Sequence, residues 1–122
     1  MALNVTRPSR FKSYFAHLET EDEATVVYTC PPNSVSYMSL IYLVNNDNSN
    51  TSDHSIELYR AQDDTTYHIL TEKNLNSSEI LQLSNAFMVL EPGDRLEVTV
   101  TGNATPHSDI ICTVEEVFIP NG

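Results

Sequence analysis

The chain has no tryptophan, three glycines and two cysteines, and it sets six lysines and arginines against seventeen aspartates and glutamates. Without tryptophan it lacks the buried indole of true immunoglobulin domains and the largest stacking surface for a sugar ring. Three glycines leave little from which to build a phosphate cradle. There is no Walker loop, no G-x-G-x-x-G and no G-x-S-x-G. The formal net charge of −11 makes a body that repels nucleic acid and anionic membrane. No apolar run is long enough to cross a bilayer as a helix. The N-terminus, MALNVTRPSRFK, has no apolar stretch of the secretory kind. Synthesis in a reducing cytosol is therefore expected, with Cys30 and Cys112 as free, buried thiols. The N-x-S/T matches at Asn4, Asn50, Asn76 and Asn103 are discounted on the same ground.

What charge there is falls unevenly. Arg7, Arg10 and Lys12 lie in the first twelve residues, which hold no acid. The remainder sets Arg60, Lys73 and Arg95 against all seventeen acids, 3 − 17 = −14. Pro8 biases Arg7 away from helix. Residues 1–12 read as an extended N-terminal arm, and residues 13–122 as a single domain. A basic arm on an acidic body can dock on an acidic partner, including another copy of the body.

Isoleucine, valine, leucine, tyrosine, phenylalanine and threonine dominate the patterned segments, which points to an all-β fold. The central stretch is AFMVLEPGDRLEVTVT, residues 86–101. Pro92 and Gly93 suit the corners of a tight turn. Beyond it Leu96, Val98 and Val100 alternate with Arg95, Glu97, Thr99 and Thr101, the period of a half-buried strand. Residues 86–90 and 95–101 are read as a hairpin. Other expected strands are 13–18, 24–30 and 35–45. In the last, Met38, Leu40, Tyr42 and Val44 face one way and Tyr37, Ile41 and Leu43 the other. Apolar residues on both faces predict a central strand, or one buried under a neighbouring subunit; a buried helix is the competing reading, and the β-branched and aromatic content with Pro and Asn flanks favours strand. Residues 54–60 and 65–71 form a second expected hairpin. Residues 79–84 are read as a short strand, although Asn76 and Glu79 resemble a helix-capping pair. In the last strand, 109–119, Ile110, Cys112 and Val114 share a face. The doublet Glu115-Glu116 shifts the phase, and a β-bulge is expected there. The sum is a two-sheet antiparallel β-sandwich, jelly-roll or immunoglobulin-like, with an extended N-terminal arm.

Candidate chemistry is sparse. His17, His54, His68 and His107 have no short metal-binding spacing and read as polar surface residues. The loop from Asp47 to Asp53 gathers oxygen ligands, yet it fails the calcium-loop pattern with Ser52 in the glycine place and Leu58 in the final glutamate place. It reads as a solvated turn. Glu115 and Glu116 are adjacent in a strand and do not share a pocket. Cys30 has no neighbouring base to activate it. Tyr37, Tyr59 and Tyr67 are available for stacking on sugar, although packing within the sheets is the simpler role. No cofactor, no metal and no enzymatic activity are expected.

Read end to end, the segments VVYTCPPNSVSYMSLIYLVNND, ELYRAQDDTTYHIL, NLNSSEILQLS, FMVLEPGDRLEVTVTG and DIICTVEEVFIP resemble the small virion structural proteins of tailed bacteriophages, especially those of marine cyanobacterial phages. The resemblance covers residues 13–119. It implies a non-enzymatic virion part assembled in the host cytoplasm. Within that class a capsid decoration (cement) protein is expected, binding the major capsid protein or other virion proteins and forming homo-oligomers, with no role for nucleic acid or membrane. A tail, neck or fibre-attachment component is the alternative within the virion, and a carbohydrate-binding module the alternative outside it. Partner contacts are expected from the N-terminal segment, at Arg7, Arg10, Phe11, Lys12, Tyr14 and Phe15.

Overall fold

A computed structural model describes residues 9–119; the side chains at positions 85–87 fall outside that description. Eight strands make up the fold: β1 (Ser9–Leu18), β2 (Thr25–Thr29), β3 (Ser34–Asn45), β4 (Ser52–Arg60), β5 (Thr65–Leu75), β6 (Ile80–Leu90), β7 (Arg95–Thr101) and β8 (Ser108–Phe118). The described residues contain no helix. The first sheet has the order β1-β8-β3-β6 and the second β2-β7-β4-β5, with every neighbouring pair antiparallel. First pairs with last, second with seventh, third with sixth and fourth with fifth. That is a single antiparallel ribbon rolled on itself, the jelly roll, and it excludes immunoglobulin topology. Only the β4–β5 connection stays within one sheet, as the expected hairpin.

The expected hairpin at 86–101 is instead a crossing between sheets. β6 pairs with β3, whereas β7 pairs with β2 and β4. A Pro-Gly turn reverses the chain in either case, and the partner of each strand is set by residues distant in sequence. β6 itself is one strand from Ile80 to Leu90, not the two short ones expected. β1 begins at Ser9, ahead of the expected position 13. Residues 9–12 thus belong to the sheet rather than to an arm, and Arg7 lies outside the described residues.

The core sits between the sheets. Leu96, Val98 and Val100 are buried as their alternation predicts, against Ile110, Cys112 and Val114 of the other sheet. Cys30 and Cys112 are free and buried. β3 is central, between β8 and β6, but its faces differ from expectation. Its register shifts between Met38 and Leu40 against both neighbours. A bulge there turns the strand by one residue, so Met38, Ile41 and Leu43 are all buried while Tyr37, Tyr42 and Val44 face outward. No bulge occurs in β8. Its alternation runs unbroken through Glu116, which points inward and is only 5% exposed.

Three segments meet at the Pro-Gly turn. The Asp94 carboxylate accepts the N–H of Glu91 at 2.9 Å and that of Ala61, in the β4–β5 turn, at 2.9 Å. The Cys30 N–H donates to the Asp94 carbonyl at 2.9 Å, and the Gly93 N–H to the Cys30 carbonyl at 3.0 Å. Gly93 has φ +89°, and a Cβ there would meet the Ala61 Cβ at 3.1 Å. Asp94→Ala orphans two backbone donors and is expected to cost about 2–3 kcal/mol in urea unfolding. Gly93→Ala is expected to cost about 1–2 kcal/mol through its left-handed backbone. Unchanged midpoints for both would remove the turn from the determinants of stability.

Candidate functional site

β1 carries two messages on its two faces. Arg10, Lys12, Tyr14, Ala16 and Leu18 turn toward the second sheet; Phe11, Ser13, Phe15 and His17 turn away from it. On the inner side the Glu116 carboxylate is held from three directions. Tyr14 Oη and Tyr28 Oη each donate to Oε2 at 2.7 Å, and Arg10 Nε to Oε1 at 2.8 Å. Tyr28 also meets Ser36 Oγ at 2.5 Å, and the Tyr14 and Tyr28 rings lie 4.6 Å apart. The cluster ties β1, β2, β3 and β8 together. Burial works against the charge on Glu116, but the bonds from Tyr14, Tyr28 and Arg10 together outweigh it and hold the carboxyl below its ordinary range. Burial and the adjacent carboxylate push Tyr14 up to about 12.

The outer side is apolar and open. Phe11 is 75% and Phe15 70% exposed. The strand registers set Phe15, Ile111, Tyr42 and Gln82 in one row across the sheet, and Phe11, Glu115, Tyr37 and Val89 in another. A third row holds His17, Asp109, Val44 and Ile80. His17 Nδ1 contacts the Asp109 carboxylate there. A shallow groove runs between Phe15, His17, Val44, Asp109 and Ile111. The outer face of the second sheet has the opposite character. Arg95, Glu97, Thr99 and Thr101 of β7 lie beside Asp53, Ser55, Glu57 and Tyr59 of β4. The sandwich is therefore amphipathic from one outer face to the other.

The expected partner residues divide accordingly. Phe11 and Phe15 lie free on the outer face. Lys12 is exposed with its Nζ 5.1 Å from the Tyr14 ring centroid. Arg10 and Tyr14 hold Glu116. Glu116, read at first as part of a bulge, is the residue that this pattern missed; the period of Ile110, Cys112 and Val114 pointed to it.

The remaining candidates do not converge. Among the described residues no three histidines, cysteines, aspartates or glutamates are arranged to hold a metal ion. Asp47 accepts N–H bonds from Ser49 at 3.0 Å, Asn50 at 2.9 Å and Asn103 Nδ2 at 3.1 Å. These donors engage both carboxylate oxygens and hold its pKa well below the ordinary range. His54 is not a surface residue: it is fully buried, with Nε2 2.7 Å from Ser108 Oγ of the opposite sheet. Burial pushes its pKa down and the Cys112 thiol up to about 11. The Cys30 thiol is raised by burial too, so both thiols are protonated and unreactive at neutral pH. Tyr37 lies on the first sheet, while Tyr59 and Tyr67 lie on the second, where Arg95 covers the Tyr59 ring at 4.0 Å. They make no common platform for a sugar.

No family model matches the chain, and no curated protein matches it. Solved structures do match in shape. Two structures of infectious bursal disease virus, one of the viral particle and one of the Gx strain, align over 93% of this chain at 10% and 13% identity, with TM-scores of 0.50 and 0.53. The chain spans 36% and 33% of those longer chains. The disulfide-linked pili of Bacillus endospore appendages align over 98% of this chain and 96% of that chain at 10% identity, TM-score 0.48. The capsid asymmetric unit of cyanophage Pam1 aligns over 98% and 92% at 13% identity, TM-score 0.48. At such identities the likeness is one of fold alone: a jelly roll.

The Glu116 cluster generates a pH dependence of known sign. Its carboxyl is depressed in the folded chain, so its stabilisation is complete above the ordinary value of 4.5 and is lost as pH falls from there through the folded value. Glu116→Gln is expected to cost about 2 kcal/mol at pH 7. In urea melts the gap between wild type and variant is expected to narrow below pH 4.5. A gap constant from pH 7 to pH 3 would show that the carboxylate charge is not what the tyrosines and Arg10 recognise.

Proposed function

We propose that this protein is a non-enzymatic structural part of a virion, a capsid decoration protein that seats the outer face of its β1-β8-β3-β6 sheet on the shell. The observation that carries the reading is the contrast between its two outer faces. One presents Phe11, Phe15, Tyr37, Ile80 and Val89 to solvent; the other is mostly polar and charged, with Val26 as its exposed large aliphatic side chain. Exposed apolar faces of this extent mark interaction surfaces. A decoration protein needs one surface that binds the shell and one that faces solution. The fold likeness to a chain of the infectious bursal disease virus particle supports a viral structural role. The partner is the major capsid protein or a neighbouring virion protein. The acid-free N-terminal segment, residues 1–18, supplies the intersubunit contacts, its β1 portion from within the sheet, where Glu116 anchors it. Repetition over a symmetric shell turns weak single contacts into avidity.

Two measurements test this. A label fused to the C-terminus is expected across the whole shell in cryo-EM of purified virions. Label confined to the tail or to one vertex, or absent from particles, overturns the decoration role. The double substitution Phe11→Asp with Phe15→Asp changes two exposed side chains and is expected to leave folding intact. It should lower shell occupancy by about tenfold or more. Full occupancy by that variant would exclude this face as the docking surface.

A further inference from the structure

The sandwich has four edge strands, β1 and β6 on the first sheet and β2 and β5 on the second. An open edge offers its N–H and C=O groups to any strand that meets it, and proteins blunt such edges with bulges, short strands or charge. Three edges here are interrupted. The register shifts in β2 between Val26 and Tyr28, in β6 opposite the step from Met38 to Leu40, and in β5 opposite the steps from His54 to Glu57. β1 alone is regular. All ten of its residues pair one to one with β8, and among the described residues nothing pairs with its other side. Its two charges, of the kind that can blunt an edge, are already engaged within the chain: Arg10 pairs with Glu116, and Lys12 Nζ lies 5.1 Å from the Tyr14 ring centroid.

We propose that β1 pairs with β1 of a second copy, antiparallel, about a two-fold axis perpendicular to the sheet at Ser13. The inference names a partner for the β1 side of the docking face and rests on reading that face as an assembly surface. The side-chain pattern selects the register. Residues directly opposite in an antiparallel pair lie on the same face. With Ser13 opposite Ser13 of the second copy, Phe11 meets Phe15 on the outer face twice, once on each side of the axis. Aromatic cross-strand pairs of this kind stabilise sheets. On the inner face Lys12 meets Tyr14 twice, and Lys12 already lies over a Tyr14 ring in its own chain. Arg10, paired with Glu116, meets Ala16. Neighbouring registers do worse. Lys12 opposite Lys12 sets like charges together, and Phe11 opposite Phe11 sets Arg10 against Lys12. Tyr14 opposite Tyr14 parts the phenylalanines, with Phe15 against Ser13. Phe15 opposite Phe15 leaves Phe11 beyond the overlap.

The pairing makes one eight-stranded sheet from two four-stranded ones. A two-fold axis perpendicular to that sheet keeps both apolar faces on one side and both polar sheets on the other. The dimer therefore doubles the docking face without covering it. One strand pair with two aromatic pairs lies at the small end of stable interfaces, so association on the order of 1–100 μM is expected in solution.

Sedimentation of the full chain tests the inference together with cross-linking. Wild type is expected to pass from monomer to dimer within that range. Phe11→Asp with Phe15→Asp should raise the dissociation constant by about tenfold or more. Ser13→Cys should form a covalent dimer under mild oxidation much faster than Thr113→Cys, one strand away. Cys30 and Cys112 are buried, so wild type should stay uncrosslinked. A wild type that stays monomeric through about 300 μM, a trimer, or a Ser13→Cys variant that cross-links no faster than Thr113→Cys overturns the pairing. The two readings fail separately. Monomers that fill the shell count against the pairing and leave docking intact; dimers that are absent from particles count against docking and leave the pairing.

Discussion

The buried carboxylate of Glu116 fixes where β1 lies, and the exposed apolar face depends on that placement. A carboxylate taken out of water costs several kcal/mol unless its lone pairs are filled. Here two tyrosine hydroxyls and the Arg10 guanidinium fill them. The arrangement works in only one register. A slip of β1 by one residue would turn Arg10 and Tyr14 outward and drive Phe11 and Phe15 toward the core. A slip by two residues would keep the faces but carry both partners away from Glu116, leaving a buried charge unpaired. The polar cluster thus specifies an edge strand whose outer phenylalanines, Phe11 and Phe15, lie largely exposed.

The two-faced character of the molecule follows from sheet geometry. Each strand alternates, so the inward faces of the two sheets build one core while the outward faces are free to differ. They do differ. β7 and β4 send arginine, glutamate, aspartate and threonine outward, whereas β1, β3 and β8 send out phenylalanine, tyrosine, isoleucine and valine. Asp109, in contact with His17, and Glu115 are the acidic side chains set within the apolar rows. Between them lies the row of Phe15, Ile111 and Tyr42.

Local rules read much of this fold, and contacts between distant residues decided the rest. The alternation of Leu96, Val98 and Val100, the β4–β5 hairpin and the central position of β3 were legible because each rests on a single segment's period. The division of β1, with Phe11 and Phe15 opposite Arg10 and Tyr14, was not, because residues 9–12 show their period only once they are paired with β8. The bulge near Ser39 was not, because nothing in SYMSLI departs from a regular strand. The bulge arises where β3 must match β8 and β6 together. Nor could the Pro-Gly turn tell a hairpin from a crossing between sheets, since its geometry serves both. Glu116 and His54 were misplaced for one shared reason. Polarity argues for the surface unless partners are known, and Tyr14, Tyr28 and Ser108 lie far away in the sequence.

Electrostatics connects the acidic body to assembly. A formal charge of −11 opposes close approach of two copies by most of their surface. At physiological ionic strength that repulsion fades beyond ~8 Å, so it acts between neighbours nearly in contact and hardly at all between distant ones. β1 is where it is weakest. The strand holds no acid, and its arginine is already engaged with Glu116. Approach along β1 also keeps the polar second sheets side by side rather than face to face, which sets their charges apart. On the proposed pairing, the same surface charge that discourages random aggregation directs copies toward the one regular edge. An apolar face that would otherwise be a liability in solution is left open toward a surface able to cover it.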